Sequence, residues 1–159
     1  MVRYVLLALA MMVATPCRSP TDSAVLEPEV EVSMSSKLRI TLAAAAQGKR
    51  TFIATLADTP AATAFTQLLP LSVKMEELNG NEKFISLASK LPTRPSRPAS
   101  IRTGDVMLYG SDTLVLFYKS FRTTFTYTPI AQIDDPTGLE AALGSQGAEV
   151  TFEAAAAPR

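Results

Sequence analysis

Polar and apolar side chains alternate through residues 37–56. Leu38, Ile40 and Leu42 share one face of the segment KLRITL, and Phe52, Ala54 and Leu56 share one face of RTFIATL. The turn residues Gln47-Gly48-Lys49 lie between them, so the pattern predicts a hairpin of Lys37–Leu42 with Arg50–Leu56. The period then changes. Thr59 can cap a helix that has Pro60 at its first position, where proline loses no hydrogen bond. Ala61, Ala64, Phe65 and Leu68 follow at helical spacing, and Pro70 is expected to end the helix. Leu71–Leu78 and Lys83–Leu87 flank Asn79-Gly80-Asn81, and Asn-Gly between strand-like runs signals a hairpin. Val106–Tyr109 and Leu114–Lys119 flank Gly110-Ser111-Asp112 in the same way. Phe121–Ile133, rich in Thr, Phe, Tyr and Ile, is expected as one strand. A second helix is expected to start at Asp135-Pro136, with Asp135 as its cap, and to stop at Gly144; Ala148–Phe152 closes the pattern as a last strand. Eight or nine short strands with two short helices predict a mainly β fold. So many strands leave exposed edges unless the sheet closes on itself, which points to a closed or nearly closed barrel.

The ends of the chain follow neither period. Arg3 precedes an apolar run from Tyr4 to Ala14, so residues 1–24 read as an export signal and the chain as periplasmic or secreted. The run is shorter than the ~20 residues that cross a bilayer. Cys17 follows it as the lipid-bearing cysteine does in bacterial lipoproteins, and the alternative reading is a chain anchored by lipid to a bacterial membrane. Pro16 stands where such a signal carries a small residue. Residues 25–36 (VLEPEVEVSMSS) read as an acidic linker, 37–153 as the folded domain, and 154–159 (AAAAPR) as a tail.

Composition mainly removes chemistry. With 15 Lys+Arg against 15 Asp+Glu, nothing favours broad electrostatic capture of nucleic acid. The absence of His excludes a Ser-His-Asp triad, a Cys-His pair and an imidazole metal site. One Cys excludes an internal disulfide and a cysteine-rich zinc site. A nucleophilic serine would need Lys74, Lys83 or Lys119 as its base, and no spacing favours that. Glu76, Glu77 and Glu82 gather at the Asn-Gly turn and read as a charged hairpin tip; Asp134-Asp135 read as a helix start. The loop SKLPTRPSRPASIRT (89–103) holds Lys90, Arg94, Arg97 and Arg102 without an acid, stiffened by Pro92, Pro95 and Pro98, and reads as a solvated basic arm. No Gly-rich phosphate cradle accompanies it, and no cofactor or metal is expected.

The aromatics carry more. Six of the eleven lie between 109 and 127. On a single strand, Phe121, Phe125 and Tyr127 would share a face, which suits barrel core or the lining of a ligand pocket. Tyr109, Tyr118 and Tyr127 each bring a hydroxyl that needs a polar partner. Tyr109, Tyr118, Phe121, Phe125 and Tyr127 are therefore the candidate ligand-binding residues.

Three segments, LPLSVKMEELNGNEKF (69–84), IRTGDVMLYGSDTLVLFYKSF (101–121) and YTPIAQIDDPTGLEAALG (127–144), together resemble the bacterial cyclophilin-like-fold family of small barrels. The resemblance covers nearly all of 37–153 and implies a closed eight-stranded barrel with two short helices. It also implies export, and in some members a flavodoxin-like redox neighbour. True cyclophilins are proline isomerases built round an arginine in a Phe-x-Arg strand motif, helped by Gln, His and aromatic groups. Here Phe121-Arg122 comes near that motif but at another place in chain order, and Lys74 stands where the arginine is expected. Lysine cannot present the same planar fork. The aromatic face and the lack of a catalytic set therefore favour an exported, non-catalytic barrel binding a small molecule or a peptide segment. The alternative is a weak, divergent peptidyl-prolyl isomerase that uses Lys74 or Arg122.

Overall fold

A computed structural model describes residues 36–44 and 48–155. The expected export signal, Cys17 and the acidic linker up to residue 35 lie outside the described residues, as do 156–159. Among the described residues, eight strands and two helices run in the order β1 (Lys37–Ala44), β2 (Gly48–Leu56), α1 (Pro60–Thr66), β3 (Leu71–Leu78), β4 (Glu82–Ser86), β5 (Asp105–Tyr109), β6 (Thr113–Phe117), β7 (Thr128–Ile133), α2 (Leu139–Leu143) and β8 (Ala148–Ala154). They close into a barrel in the order β1-β2-β7-β5-β6-β4-β3-β8, every neighbouring pair antiparallel. Closure leaves no open sheet edge.

The inside of the barrel is filled by every second residue of the strands. Leu38, Ile40 and Leu42 of β1 meet Phe52 and Ala54 of β2, Val106 and Leu108 of β5, Leu114 and Leu116 of β6, and Val150 and Phe152 of β8 in one buried cluster. The helices add to the same core. Thr59 accepts a hydrogen bond from the Ala62 amide (3.0 Å) and donates to the Pro129 carbonyl (2.8 Å), so one side chain both caps α1 and fixes it to β7. Phe65 of α1 then meets Phe152 edge to face at 5.5 Å. Leu139 and Leu143 of α2 join the core from the other helix.

Three expected elements differ. Helix α1 ends at Thr66 rather than at Pro70, because Gln67 and Leu68 turn back onto the Ala64 and Phe65 carbonyls. Helix α2 starts at Leu139 behind Gly138, whose φ of 80° breaks the helical path; Asp135 instead accepts from the Thr137 amide (3.0 Å), shaping the turn ahead of the helix. The stretch Phe121–Ile133 is not one strand. Only Thr128–Ile133 forms β7, because Tyr127 pairs with Ser96 and Phe121 with Ile101 in isolated bridges. At the C-terminal end β8 continues to Ala154, opposite Leu38, and the Ala155 amide reaches the Lys37 carbonyl.

Those bridges explain a feature of β5 and β6. Asp105–Leu108 and Leu114–Phe117 are buried without alternation, so both faces of this wall are covered. The inner face carries Val106, Leu108, Leu114 and Leu116. The outer face carries Met107, Val115 and Phe117, which form a second, smaller core with Ile101 and Tyr127, and with Phe84 and Phe121 packed against it. The segment expected as a solvated basic arm supplies part of this cover through Ile101, while its Leu91 joins the larger core; the Leu91 amide reaches Ser111, and the Arg94 amide reaches the Thr128 hydroxyl (3.1 Å). Its Lys90, Arg94, Arg97 and Arg102 side chains remain exposed.

Candidate functional site

The site is built outward from the β3–β4 turn. Asn79 (φ 57°) and Gly80 (φ 69°) both take left-handed backbone, as the inner residues of a tight hairpin require, and Asn81 closes the turn onto Leu78 (3.3 Å). The register leaving the turn sets Glu82 opposite Phe117 and Phe84 opposite Val115, on the outer face, while Lys83 lies opposite Leu116 on the inner one. Beside the outer-face residues opens a cavity of about 340 Å³. Phe84, Tyr109, Phe125 and Tyr127 are its aromatic walls; Val115 and Thr113 of β6 line it too, and Leu78, Asn79 and Glu82 close the hairpin side. Tyr109 is the hub of these rings, meeting Phe125 edge to face at 6.1 Å and Tyr127 at 5.7 Å; Tyr127 in turn meets Phe117 at 5.4 Å. Tyr109 is 46% and Phe125 59% exposed, large apolar surface for a chain of this size to leave in water.

Glu82 is the one carboxylate of this cavity, and it is only 8% exposed. Burial, and after it the neighbouring charge of Glu77, hold its carboxyl above the ordinary carboxylate value. Burial and the charge of Glu82 likewise raise the Tyr127 phenol. No side chain among the described residues makes a hydrogen bond or ion pair with the Glu82 carboxyl.

On the other side of the wall lies a separate polar knot. Lys83 is fully buried, and its ammonium has three N–H groups. They go to the Glu77 carboxylate, the Gly144 carbonyl (2.9 Å) and the Gln146 carbonyl (2.6 Å). Tyr118 donates its hydroxyl to Glu77 at 2.9 Å, lies 5.0 Å beneath the Lys83 ammonium, and is held well above the ordinary phenol range by burial and then by Glu77. Glu77 also accepts from the Gly80 amide (2.8 Å). Every donor of Lys83 is used, which leaves it no part as a base; it clips the β3–β4 hairpin to the turn that follows α2. The expected charged hairpin tip is therefore only Glu76, which is exposed.

The five aromatic candidates divide accordingly. Tyr109, Phe125 and Tyr127 meet at the cavity; Phe121 stands behind it against Phe117 (5.7 Å), and Tyr118 belongs to the Lys83 knot. Their placement does not come from a shared strand face, since 121–127 is not a strand. Lys74 is exposed in the middle of β3, across from Glu149, and Arg122 is exposed on the segment after Phe121; neither lines the cavity. A larger, shallower groove of about 670 Å³ runs past Thr103, Tyr118, Ser120 and Leu139. Its two charges, Lys119 and Glu140, neutralise one another at 3.2 Å, which leaves no unmatched group to select a ligand. Among the described residues no cluster of acids or Cys is placed to hold a metal ion, and no helix is long and apolar enough to cross a membrane.

Glu82 and Phe84 are the site residues that the sequence pattern did not single out. Their signal was present: they alternate on β4, and the unbroken apolar runs in DVMLY and TLVLF mark a wall buried on both faces. Compared with known proteins, residues 46–153 match the model of the cyclophilin-like family. No curated protein matches the chain.

Proposed function

The chain belongs to the cyclophilin-like family, and from that premise we propose that it is an exported, non-catalytic barrel that binds a small ligand or a single side chain of a peptide in the cavity between β4, β6 and Tyr109, Phe125 and Tyr127. The observation that carries this reading is the aromatic cavity itself: about 340 Å³, at the small end of ligand sites, walled by rings and holding one buried acid. Fold alone does not bring activity with it. The lysine nearest the cavity in sequence, Lys83, is consumed by structure, and Lys74 and Arg122 stand apart from the rings. Export through residues 1–24, or lipid attachment at Cys17, is part of the same proposal; mass spectrometry of the mature chain distinguishes the two.

Two assays on the same protein test the reading. Isomerisation of short Xaa-Pro peptides should stay at the uncatalysed rate, with an authentic cyclophilin as the positive control. A set of small neutral and charged fragments should give binders that Tyr109→Ala and Phe125→Ala weaken. Catalysis lost on changing Lys74 or Arg122, or fragment binding indifferent to both ring variants, overturns it.

A further inference from the structure

The cavity is unbalanced in charge. Glu82 carries the only acidic or basic side chain of its lining apart from the tyrosine phenols; the rest is aromatic, aliphatic, Thr113 and Asn79. Glu82 as a residue is only 8% exposed and lines the cavity, and a carboxylate so placed is normally paired, because leaving it unpaired costs more than an unpaired neutral group. Glu82 has no such pair among the described residues. The nearest lysine in sequence, Lys83, faces the opposite side of β4 with all its donors taken, and the four described ion pairs all lie elsewhere. Glu77 is an acid too and pairs with Lys83, so it brings no counter-charge to Glu82.

The rings add to the same preference. An aromatic face attracts a cation within about 6 Å of its centroid, and more strongly where water is displaced. Tyr109, Phe125 and Tyr127 stand 5.7 and 6.1 Å apart and at 53° and 88° to one another, a corner of rings on the same cavity as the carboxylate. An acid at one end and rings round the remainder is a chemical match for an ammonium head on an apolar stem: the head pairs with Glu82 and the stem packs on Val115 and Phe84.

Resting on the reading of this cavity as the binding site, we propose that it selects an alkylammonium group, carried by a free amine or by a lysine side chain. Neutral ligands of the same shape leave Glu82 without a counter-charge, and carboxylates are repelled by it.

The test uses the folded chain and four probes, read by calorimetry and by NMR shifts: n-butylammonium, 1-butanol, butyrate, and Nα-acetyl-lysine methylamide. Butylammonium should bind at least about tenfold more tightly than 1-butanol, and butyrate should not bind; a tenfold ratio corresponds to about 1.4 kcal/mol. Glu82→Gln should lower butylammonium affinity by about tenfold or more, leaving 1-butanol within about twofold. Phe125→Ala, at an exposed position that a fold can spare, should weaken the cation as a second and independent variant. Binding of the lysine derivative on a par with butylammonium assigns the site to peptide side chains, and its exclusion assigns it to free amines. If 1-butanol equals butylammonium at the cavity, or if Glu82→Gln leaves the cation unaffected, selection of ammonium is refuted while the binding site stands. If no probe shifts a cavity residue, both fall.

Discussion

Replacing Lys83 by methionine removes the charge that ties the β3–β4 hairpin to the turn after α2, and keeps most of the buried stem. Three hydrogen bonds go with it: to the Glu77 carboxylate, to Gly144 (2.9 Å) and to Gln146 (2.6 Å). Two carbonyls lose a charged donor, and each such bond contributes about 1.5–3 kcal/mol net. Breaking a buried ion pair by deleting one partner costs about 3–5 kcal/mol, because the remaining charge is stranded. Glu77 is not fully stranded here: its side chain is 22% exposed and keeps the Tyr118 hydroxyl and the Gly80 amide. The loss should therefore fall near the low end, about 3 kcal/mol, out of the 5–15 kcal/mol typical of a domain. That is roughly 10 °C in Tm for a barrel of this length. Urea and thermal unfolding followed by far-UV circular dichroism measure it, the chain having no Trp to report by fluorescence. Glu77→Gln strands the fully buried Lys83 ammonium with only neutral acceptors and should cost at least as much. A Lys83→Met loss under about 1 kcal/mol would refute the view that Lys83 is a structural clip.

Other outcomes follow from the same geometry. Phe117→Ala removes the buried ring beneath Tyr127 and Phe121 and should cost about 3–5 kcal/mol, with loss of fragment binding; a loss under about 1 kcal/mol would show that the outer core is not packed as described. Because the folded chain raises the Glu82 carboxyl, it binds that proton more tightly than the unfolded chain does. Stability is then lost as pH rises from about 4.5 through the raised folded value, and Glu82→Gln is spared that loss. The Tm of E82Q should overtake wild type progressively across that window, and a constant difference at every pH speaks against it. Gly104, at φ +91°, has the Gln132 amide and the Ile133 Cβ 3.0 Å from where its own Cβ would stand, so Gly104→Ala should destabilise by more than about 1 kcal/mol in the same unfolding assay. Asp134 holds Lys37 and Thr55 by hydrogen bonds that lower its carboxyl, so what it contributes is present above its ordinary value and lost as pH falls. Its side chain is 39% exposed, and Asp134→Asn should cost less than about 1 kcal/mol in the same assay.

The barrel was legible because its signals are local. Alternation in KLRITL and RTFIATL, Asn-Gly after β3, and the Thr59-Pro60 cap each act within a few residues, and each element began where its pattern placed it to within two residues, although α1 stops at Thr66, short of Pro70. The second helix shows the limit: Asp135 was free to close a turn with Thr137, and Gly138 delayed the helix to Leu139. The site was less legible because it depends on long-range pairing. The rings of 121–127 reach the cavity through the bridges Ser96–Tyr127 and Ile101–Phe121, not through strand parity. Glu82 looked like the tip of a charged hairpin, and only the cover over β5 and β6 turns it into a buried acid. Lys83 stands out in the sequence only beside Lys74 and Lys119, as a base a serine would need, and its register with Leu116 places it inside instead.

The central claim, that ligand is taken on the outer wall of the barrel, is tested most directly by amide chemical-shift changes in the folded chain on addition of n-butylammonium and of a neutral fragment mixture. The changes should concentrate at Glu82, Phe84, Tyr109, Val115 and Tyr127. Changes centred instead on Thr103, Lys119 and Glu140, or none anywhere at millimolar probe, would contradict it.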